Sequence, residues 1–277
     1  MKPAILEMPN AKSSTVNGLF KAEGGYRLQS QGRFPKVVNP TLSIITVTLN
    51  AGKALQDTID SVKSQQWDGI EHIVIDGGST DATLAILRAR ESELAYWRSQ
   101  PDKGIYDAMN IGLSLALGGY VLFLNSGDLL IDQPLVPDRD WSKLLRVSKR
   151  DVFGRTQFFK LRDMKVGMPY SHQGILFRNH ELIPFDTRFR IASDYQFLLD
   201  NLSKAGLSTP DPGARGYVAF DSTGVSSTRI YERDCESARI IRTHFGVWHW
   251  ARFWAYQLPK LALRWLLIRK ASLSEPR

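Results

Sequence analysis

Cysteine is nearly absent from this chain of 277 residues, which contains only Cys235. A single cysteine cannot form a disulfide within the chain and cannot build a cysteine-rich metal site. Long apolar runs are absent as well, because none approaches the roughly 18 residues of a membrane-spanning helix. No apolar segment precedes Asn10, so the N-terminus does not look like a signal peptide. These absences predict a cytoplasmic protein.

Acidic residues are absent from a long stretch near the C-terminus. Between Ser237 and Leu273 there is no Asp or Glu, but there are seven Lys and Arg residues. Most of the net charge of +8 therefore lies in this stretch, and the rest of the chain is close to neutral. This distribution argues against a surface that coats nucleic acid and predicts one basic tail.

Short apolar runs alternate with amphipathic segments between residues 42 and 124. The predicted strands span 42–49, 70–75, 95–99 and 120–124, and the predicted helices span 53–66, 82–90 and 105–117. With right-handed crossovers, this order predicts an α/β protein with a Rossmann-like, doubly wound sheet and helices on both faces. The turn Asn50-Ala-Gly-Lys53 lacks the G-x-G-x-x-G fingerprint, which disfavours a nicotinamide or flavin enzyme.

The alternation is less regular beyond Asp128. The pattern there predicts helices at 141–150, 194–205 and 231–244, and strands at 151–159, 166–177 and 217–220. No linker-like segment marks a second folded domain. We therefore expect an N-terminal extension (1–40), one main domain (41–230) and a C-terminal helical tail (231–277).

Carboxylates recur where the predicted loops should converge. The carboxyl ends of parallel strands form the ligand-binding edge of an open α/β sheet. A neutral substrate gives little reason for many acids there, whereas a phosphorylated substrate with Mg²⁺ or Mn²⁺ does, because these cations prefer oxygen ligands. Any single Asp could equally serve a turn or a helix cap. The acids are Asp76, Asp81, Asp102, Asp107, Asp128 and Asp194.

Three ordered motifs carry a resemblance to a known family. They are Ile75-Asp-Gly-Gly-Ser-Thr-Asp-Ala-Thr83, Ser99-Gln-Pro-Asp-Lys-Gly-Ile-Tyr-Asp-Ala-Met-Asn-Ile-Gly112 and Phe123-Leu-Asn-Ser-Gly-Asp128. Together they resemble the family 2 glycosyltransferases of the GT-A fold, whose sheet is mixed. The likeness is strongest to the branch that builds bacterial exopolysaccharide, colanic acid, capsule or O-antigen. It implies inverting transfer of a sugar from a UDP- or GDP-sugar to an acceptor hydroxyl, over residues 41–230.

The resemblance also implies roles for single residues on the donor side. Residues from the first strand should line the nucleoside pocket, an aspartate after the second strand should contact the base, and the 102–107 loop should face the nucleotide, the ribose and the donor sugar. The segment 125–128 occupies the place of the metal-binding D-x-D motif. The implied donor residues are Thr48, Asn50, Asp76, Asp102, Lys103, Asp107 and Asn125.

The metal motif departs from the family pattern at Gly127, the position that usually holds the metal carboxylate. Asp128 is the acid that remains. Three possibilities stay open: Asp128 binds Mg²⁺ or Mn²⁺ alone, His172 shares the metal, or the dependence on a metal is weakened.

Two later motifs resemble the acceptor side of the family's site. Tyr170-Ser-His-Gln-Gly174 is similar to a His-Gln segment, which singles out His172 and Gln173. Where the family has Glu-Asp, this chain has Ser193-Asp194, so Asp194 takes the role of the catalytic base. Asp186 is the second candidate, and Asp194 could instead only cap a helix. Gly224-Val-Ser-Ser227 resembles the family's Gly-Val-Ser loop, with an ordinary turn as the alternative.

The basic tail has the composition of a helix that lies on a membrane surface. A helical projection over 249–265 puts basic residues on one side and aromatic and aliphatic residues on the other, as on anionic lipid. Pro259 should kink or split this helix. The alternative is a terminal helix packed on the main domain. The basic side comprises His249, Arg252, Lys260 and Arg264, and the apolar side Trp250, Trp254, Leu258, Leu261 and Trp265.

A membrane-bound tail agrees with the polyprenyl-linked glycan acceptor that the resemblance implies. The protein is then expected at the inner face of the cytoplasmic membrane. Nucleic acid is disfavoured as a partner, because the aromatic residues lie opposite the basic ones instead of between them.

Two other functions compete with sugar transfer. The departure at Gly127 is compatible with a non-catalytic scaffold that binds nucleotide-sugar. A nucleotidyltransferase would need a glycine-rich loop with basic residues after the first strand, and Asn50-Ala-Gly-Lys53 is a poor version of one.

Overall fold

The computed structural model describes residues 22–28, 39–65, 67–136, 140–150, 156–158, 163–205, 216–220 and 228–273. Its strands are β1 (Ala22–Gly24), β2 (Leu42–Thr48), β3 (Ile70–Asp76), β4 (Tyr96–Ser99), β5 (Tyr120–Phe123), β6 (Leu129–Ile131), β7 (Val147–Arg150), β8 (Thr156–Phe158), β9 (Phe177–Arg178) and β10 (Tyr217–Phe220). Its helices are α1 (Gly52–Lys63), α2 (Thr83–Ala89), α3 (Ile105–Leu115), α4 (Ser193–Asp200), α5 (Ile230–Phe245) and α6 (Val247–Leu273).

The main sheet has six strands in the order β1-β4-β3-β2-β5-β9. The four central strands run parallel, while β1 and β9 pair antiparallel at the two edges, so the sheet is mixed. Every residue of β2 is buried, as expected for a strand covered on both faces. The predicted doubly wound α/β core is confirmed.

Side chains alternate along β3 and sort the helices onto the two faces of the sheet. Val74 belongs to one buried cluster with Leu55 of α1 and Leu87 of α2. Ile73 and Ile75 belong to the other cluster, which includes Met109 of α3. The period of two along a strand is what separates these layers.

Residues 22–28 correct the expectation that 1–40 is only an extension. β1 extends the main sheet beyond β4, and Tyr26 donates its backbone amide to the Leu94 carbonyl at 3.0 Å. Nothing in this short segment signals a strand, because an edge strand is stabilised by its partner more than by its own sequence. The other residues of the extension lie outside the described ranges.

A second sheet of four strands, in the order β6-β10-β7-β8, follows the end of β5. The predicted strand at 217–220 is confirmed as β10. The predicted helix at 141–150 is wrong, because this segment is a turn followed by β7, which pairs with β10. Its apolar residues have helix-like spacing, but pairing with a distant strand decides the outcome. Of the strand predicted at 151–159, the described part is β8.

The strand predicted at 166–177 is wrong as well. This segment contains short 3₁₀ turns at Met164–Val166 and His172–Gly174, and it reaches a strand only at Phe177. Gly167 has a φ of 133°, and Pro169 lacks the amide that a sheet ladder needs. The interruption gives the turn that carries His172.

The C-terminal helices pack onto α4 instead of standing apart. α4 ends at Asp200, earlier than the predicted 194–205 helix, and the predicted helix at 231–244 is confirmed as α5. Phe253 of α6 is buried with Tyr195 of α4 and Ile241 of α5, and Trp250 and Trp254 pack against the same cluster.

The packing of α6 favours the alternative of a terminal helix that lies on the main domain, because its described part turns Trp250 and Trp254 toward the domain. Pro259 does not split the helix, which continues through it to Leu273. The predicted kink at Pro259 stays a prediction. No helix in the described ranges combines the length and the apolar character that crossing a membrane requires.

Candidate active site

Four strand ends meet at one edge of the main sheet, as the sequence predicts. The parallel register places Thr48 of β2 opposite Asp76 of β3, and Asp76 opposite Ser99 of β4. On the other side of β2, the amide of Ser126 donates to the Val47 carbonyl at 3.2 Å, so Asn125 follows β5 at the same edge. Thr48, Asp76 and Asn125, from separate segments, therefore lie at one edge of the sheet, and their role in binding a donor stays a prediction.

Asp76 is fully buried and bonded within its own turn. Its carboxylate accepts hydrogen bonds from the amide of Ser79 at 3.0 Å and from the hydroxyl of Ser99 at 2.6 Å, and also from the Ser79 hydroxyl. Gly78, with a φ of 87°, lets this turn pass close to Pro101. Asp76 thus shapes the crevice, and its contact with a base stays a prediction.

Asn50 joins the first strand end to the turn after β3. Its φ of 51° is left-handed, which asparagine tolerates better than most residues. The side-chain Oδ1 of Asn50 accepts a hydrogen bond from the backbone amide of Thr80 at 2.8 Å, and the backbone amide of Asn50 donates to the Ser79 hydroxyl at 2.7 Å. Asp81 instead serves the backbone: it accepts from the amide of Thr83 at 3.0 Å and from the Thr83 hydroxyl at 2.5 Å.

The 102–107 loop brings negative charge to the rim of the crevice. Burial raises the pKa of Asp102, and the neighbouring charges of Asp107 and Asp76 raise it further, against a lowering hydrogen bond from Gly104. Asp107 accepts the amide of Lys103 at 3.0 Å at the start of α3. The three acids are thus close enough to interact electrostatically, as the sequence analysis expects.

Asp194 and His172 lie in direct contact. Nδ1 of His172 is 3.2 Å from Oδ2 of Asp194, and the Tyr106 hydroxyl is 3.4 Å from Oδ1. Burial raises the pKa of Tyr106 well above its usual value, and the Asp194 charge adds to this effect. The structure therefore joins the predicted base to the predicted acceptor-side histidine.

Asp186 is a poor alternative base. Arg188 binds its carboxylate through Nε at 3.0 Å and through Nη2 at 2.7 Å. These hydrogen bonds lower the pKa of Asp186. A carboxylate held in this way is a weaker proton acceptor than one facing a crevice.

Asp128 is 2% exposed and bonded within the protein. Its Oδ2 accepts from Nε2 of Gln173 at 3.0 Å and from the amide of Asn125 at 3.2 Å. Asp128 and Gln173 thereby connect the turn after β5 to the turn that carries His172.

These contacts do not decide whether Asp128 is a metal ligand. Both donors bind Oδ2, and carboxylates that ligate metals commonly accept hydrogen bonds as well. Among the described residues, no group of three or more His, Cys, Asp or Glu side chains could hold a metal. The predicted Mg²⁺ or Mn²⁺ stays a prediction, and this donor set does not favour it.

Three buried polar atoms in this region have no hydrogen-bond partner among the described residues. They are Oγ1 of Thr48, Oδ1 of Asn125 and Nε2 of His172. Leaving such an atom unpaired costs about 1–3 kcal/mol, and most buried polar atoms in proteins are paired. Three of them, on residues predicted to face substrates, indicate a site prepared for a polar ligand.

The sequence analysis missed Glu236 on α5. Its carboxylate accepts the amides of Ile191 and Ala192 at 2.8 Å each and the amide of Arg190 at 2.9 Å. These three amides directly precede α4, so Glu236 holds the backbone that leads to the base. A glutamate among charged residues on a helix gives no sequence signal for this role.

Comparison with known proteins identifies glycosyltransferases that are similar to this chain. The model described as "Glycosyl transferase family 2" matches residues 43–137. An uncharacterised glycosyltransferase of Mycobacterium tuberculosis is 36% identical over 209 residues, which cover 69% of this chain and 78% of that protein. A PGL/p-HBAD biosynthesis glycosyltransferase of Mycobacterium bovis is 30% identical over 186 residues, which cover 61% of this chain and 73% of that protein.

Solved structures share the fold. TarS of Staphylococcus aureus, residues 1–349 in complex with UDP-GlcNAc, matches with a TM-score of 0.54 and 19% identity, covering 74% of this chain and 67% of that chain. Against a longer TarS structure the match spans only 40% of that chain, so TarS has a large part without a counterpart here. At this identity the likeness establishes the GT-A fold alone. With the family model and the mycobacterial relatives, it follows that this chain belongs to the family 2 glycosyltransferases and is a transferase enzyme.

Proposed function

We propose that the enzyme transfers a sugar from a UDP- or GDP-sugar to the hydroxyl of a lipid-linked glycan, with inversion at the anomeric carbon. The observation that carries this proposal is the set of unpaired buried atoms on Thr48, Asn125 and His172, together with the contact between His172 and Asp194. TarS of Staphylococcus aureus binds UDP and UDP-GlcNAc in its solved complexes, which supports a nucleotide-sugar donor here.

Asp194 would accept the proton of the acceptor hydroxyl while that oxygen attacks the anomeric carbon. The nucleoside diphosphate leaves from the opposite side, so inversion needs no covalent intermediate. His172 and Tyr106 flank the two carboxylate oxygens of Asp194 and orient them. Glu236 keeps the backbone before Asp194 in place. No step of this mechanism requires Asp128 to bind a cation.

The donor would lie along the strand ends. Thr48, Asn50 and Asp76 would line the nucleoside pocket. Asp102 and Lys103 would contact the ribose and the diphosphate. Asp107 and Asn125 would contact the sugar. Gln173, held by Asp128, would support the acceptor side. Lys103 is the cation of this set, so it is the residue suited to the negative charge of the leaving group.

The acceptor would reach the site from the inner face of the cytoplasmic membrane, as in the synthesis of a bacterial surface polysaccharide. Support comes from the exposed side of α6, where Trp248 is 84% exposed and Tyr256 and Leu258 are more than half exposed. Arg252 and Lys260 are also exposed there. This aromatic and basic side, rather than the predicted one with Trp250 and Trp254, has the chemistry of an interfacial helix.

Calorimetric titration of the purified protein with UDP and with GDP, each with and without Mn²⁺, tests the proposal. One nucleotide should bind, and the corresponding nucleotide-sugars should release it when acceptor lipid is added. Binding that depends on Mn²⁺ would restore the metal prediction. A folded protein that binds neither nucleotide would overturn the proposal. Binding without transfer to any lipid-linked acceptor would favour the scaffold instead.

A further inference from the structure

A cavity of about 450 Å³ lies outside the strand-end crevice, between the segment 163–168 and the helices α5 and α6. Its volume is within the range of about 300–1,000 Å³ that ligand sites usually have. One face of α6 lines it with residues at helical spacing: Phe253, Tyr256, Gln257 and Lys260. None of the predicted site residues lines this cavity, so it is a second candidate site.

Polar groups of the cavity wall are left for a ligand. Asp234 is 3% exposed, and Arg233 donates to its Oδ1 at 2.8 and 3.1 Å. Its Oδ2 has no hydrogen-bond partner in the part of the chain that the structure describes, and the same holds for the Ser237 hydroxyl and the Gln257 amide. A ligand hydroxyl could donate a hydrogen bond to this carboxylate oxygen inside the cavity.

The rest of the wall is aromatic and apolar. Phe253 is buried, Tyr256 is exposed on the neighbouring turn, and Met168 closes the opposite side. The ammonium of Lys260 lies 3.4 Å from the centre of the Tyr256 ring and fixes that ring from one side. Aromatic rings pack against the C–H groups of a ligand's apolar face, and a carboxylate, a hydroxyl and an amide can hydrogen-bond its hydroxyl groups. The wall therefore suits a ligand that has an apolar face and many hydroxyls.

The charges of the wall point to a neutral ligand. Asp163 and Asp234 balance Arg233 and Lys260, and Arg233 is already paired with Asp234. Among the described side chains that line the cavity, a diphosphate would meet two carboxylates and no excess of positive charge. We therefore propose that this cavity binds a neutral saccharide unit of the acceptor. This inference rests on the proposed function, because it names where the acceptor's sugar is held.

The cavity is coupled to the base through α4. Asp194 and Tyr195 are consecutive: Asp194 contacts His172, whereas Tyr195 packs with Phe253 and donates to the Met164 carbonyl in the segment beside the cavity. Successive residues of a helix point about 100° apart at 1.5 Å rise. A saccharide in the cavity would therefore contact Phe253, which packs against Tyr195, the residue that follows the base.

Saturation-transfer NMR with a panel of methyl glycosides (glucoside, galactoside, mannoside and rhamnoside) tests the inference on the full chain. At least one glycoside should receive magnetisation from the protein, and neither UDP nor GDP should displace it. Gln257→Ala should weaken its binding by about tenfold, which corresponds to about one lost hydrogen bond. Ser237→Phe should abolish it by filling the cavity. Arg239→Ala, on an exposed side of α5, should leave it unchanged.

Three results would overturn the inference. They are the absence of transfer to every glycoside, displacement by a nucleotide, and unchanged binding in the folded Gln257→Ala variant. Failure of the proposed function looks different, because the calorimetric titration would then detect no nucleotide while the glycoside still bound. If Ser237→Phe does not fold, Gln257→Ala decides alone.

Discussion

The two ends of the main sheet treat buried polar groups in opposite ways. At the amino end, Glu71 is 2% exposed, and it accepts from the Ser43 hydroxyl at 2.5 Å and the Leu117 amide at 2.7 Å, while Arg27 pairs with its other oxygen. At the carboxyl end of the same strands, Thr48 and Asn125 keep buried oxygens without a partner among the described residues. The amino end is complete as folded, whereas the carboxyl end has hydrogen bonds left for a substrate.

Asp76 and Asp128 refine this comparison. Both lie at the carboxyl end, yet their carboxylates are bonded within the protein. They resemble Glu71 in this respect and serve to hold turns. The carboxyl end therefore contains paired acids, Asp76 and Asp128, that hold the turns, and unpaired oxygens on Thr48 and Asn125.

The largest expected effect follows from replacing the base. Asp194→Asn keeps the shape of the side chain but removes its ability to take a proton, so kcat should fall by about 10²–10⁴-fold. UDP or GDP binding should not change, because the base contacts the acceptor. Steady-state kinetics and calorimetry check both parts.

Asp186→Asn is the matched control and should retain activity close to that of the unmodified enzyme. An Asp194→Asn variant that transfers sugar at the original rate would remove Asp194 from the mechanism.

At the amino end of the sheet, replacing the paired glutamate should lower the stability of the fold and leave substrate binding unchanged. Glu71→Gln leaves Arg27 without its buried partner and should lower the free energy of unfolding by about 3–5 kcal/mol. Urea denaturation measures this loss, and nucleotide affinity of the folded fraction should stay the same. Asp57→Asn, which breaks the exposed pair with Lys53, should leave the stability nearly unchanged. Equal effects of the two variants would contradict the pairing described for Glu71.

Two threonines on β2 give the sharpest contrast. The Thr46 hydroxyl lies 2.9 Å from Nε2 of His72, whereas the Thr48 hydroxyl has no partner in the described part of the chain. Thr46→Val should destabilise the free protein by about 1–3 kcal/mol, and Thr48→Val should stabilise it by up to a similar amount. Thr48→Val should also weaken nucleotide binding. Denaturation and calorimetry on both variants measure these changes, and shifts in the same direction would break the comparison.

A smaller effect is expected for Asp128→Asn. The amide oxygen can still accept from Gln173 and Asn125, so only the charge-assisted part of these hydrogen bonds is lost, about 1 kcal/mol. Activity should fall by less than about tenfold, and its response to added Mn²⁺ should not change. A Mn²⁺ titration of activity checks this, and a large loss of apparent Mn²⁺ affinity would reinstate Asp128 as the ligand.

The smallest effect at neutral pH concerns His72. Complete burial lowers its pKa to about 3, and the Arg90 charge adds to the shift. The folded state therefore keeps His72 neutral while the unfolded chain protonates near pH 6.5, so stability should fall as pH drops from about 6.5 toward 3. His72→Gln should flatten this slope in urea denaturation across that range. An unchanged slope would assign the acid sensitivity to other groups.

The sequence predicted best where structure follows from local pattern. The alternation between 42 and 124 predicted each strand and helix to within three residues, since a buried parallel strand and an amphipathic helix each have their own periodicity. The strand-end residues Thr48, Asp76 and Asn125 were placed at one edge by the same rule. The prediction failed at 141–150, where the apolar residues before β7 have helical spacing but β7 itself pairs with β10.

The tail shows the same limit. Its composition indicates an amphipathic helix, but composition does not say which side a domain covers. The structure buries Phe253 and partly covers Trp250 and Trp254, and it leaves Trp248 and Tyr256 exposed. The division of the chain at residue 230 stays a prediction, although Glu236 beyond it supports the base.

The sequence by itself determined the α/β core and the edge where polar residues collect, and its resemblance to a family predicted Asp194 as the base. Only the tertiary structure decided which of those polar groups are satisfied. In the folded chain Asp128 accepts a hydrogen bond from Gln173, and His172 contacts Asp194. Glu236 accepts hydrogen bonds from the backbone before α4. The physical reason is that periodicity is a property of neighbouring residues, whereas a hydrogen bond between segments far apart in the chain exists only after packing has fixed the distance between them.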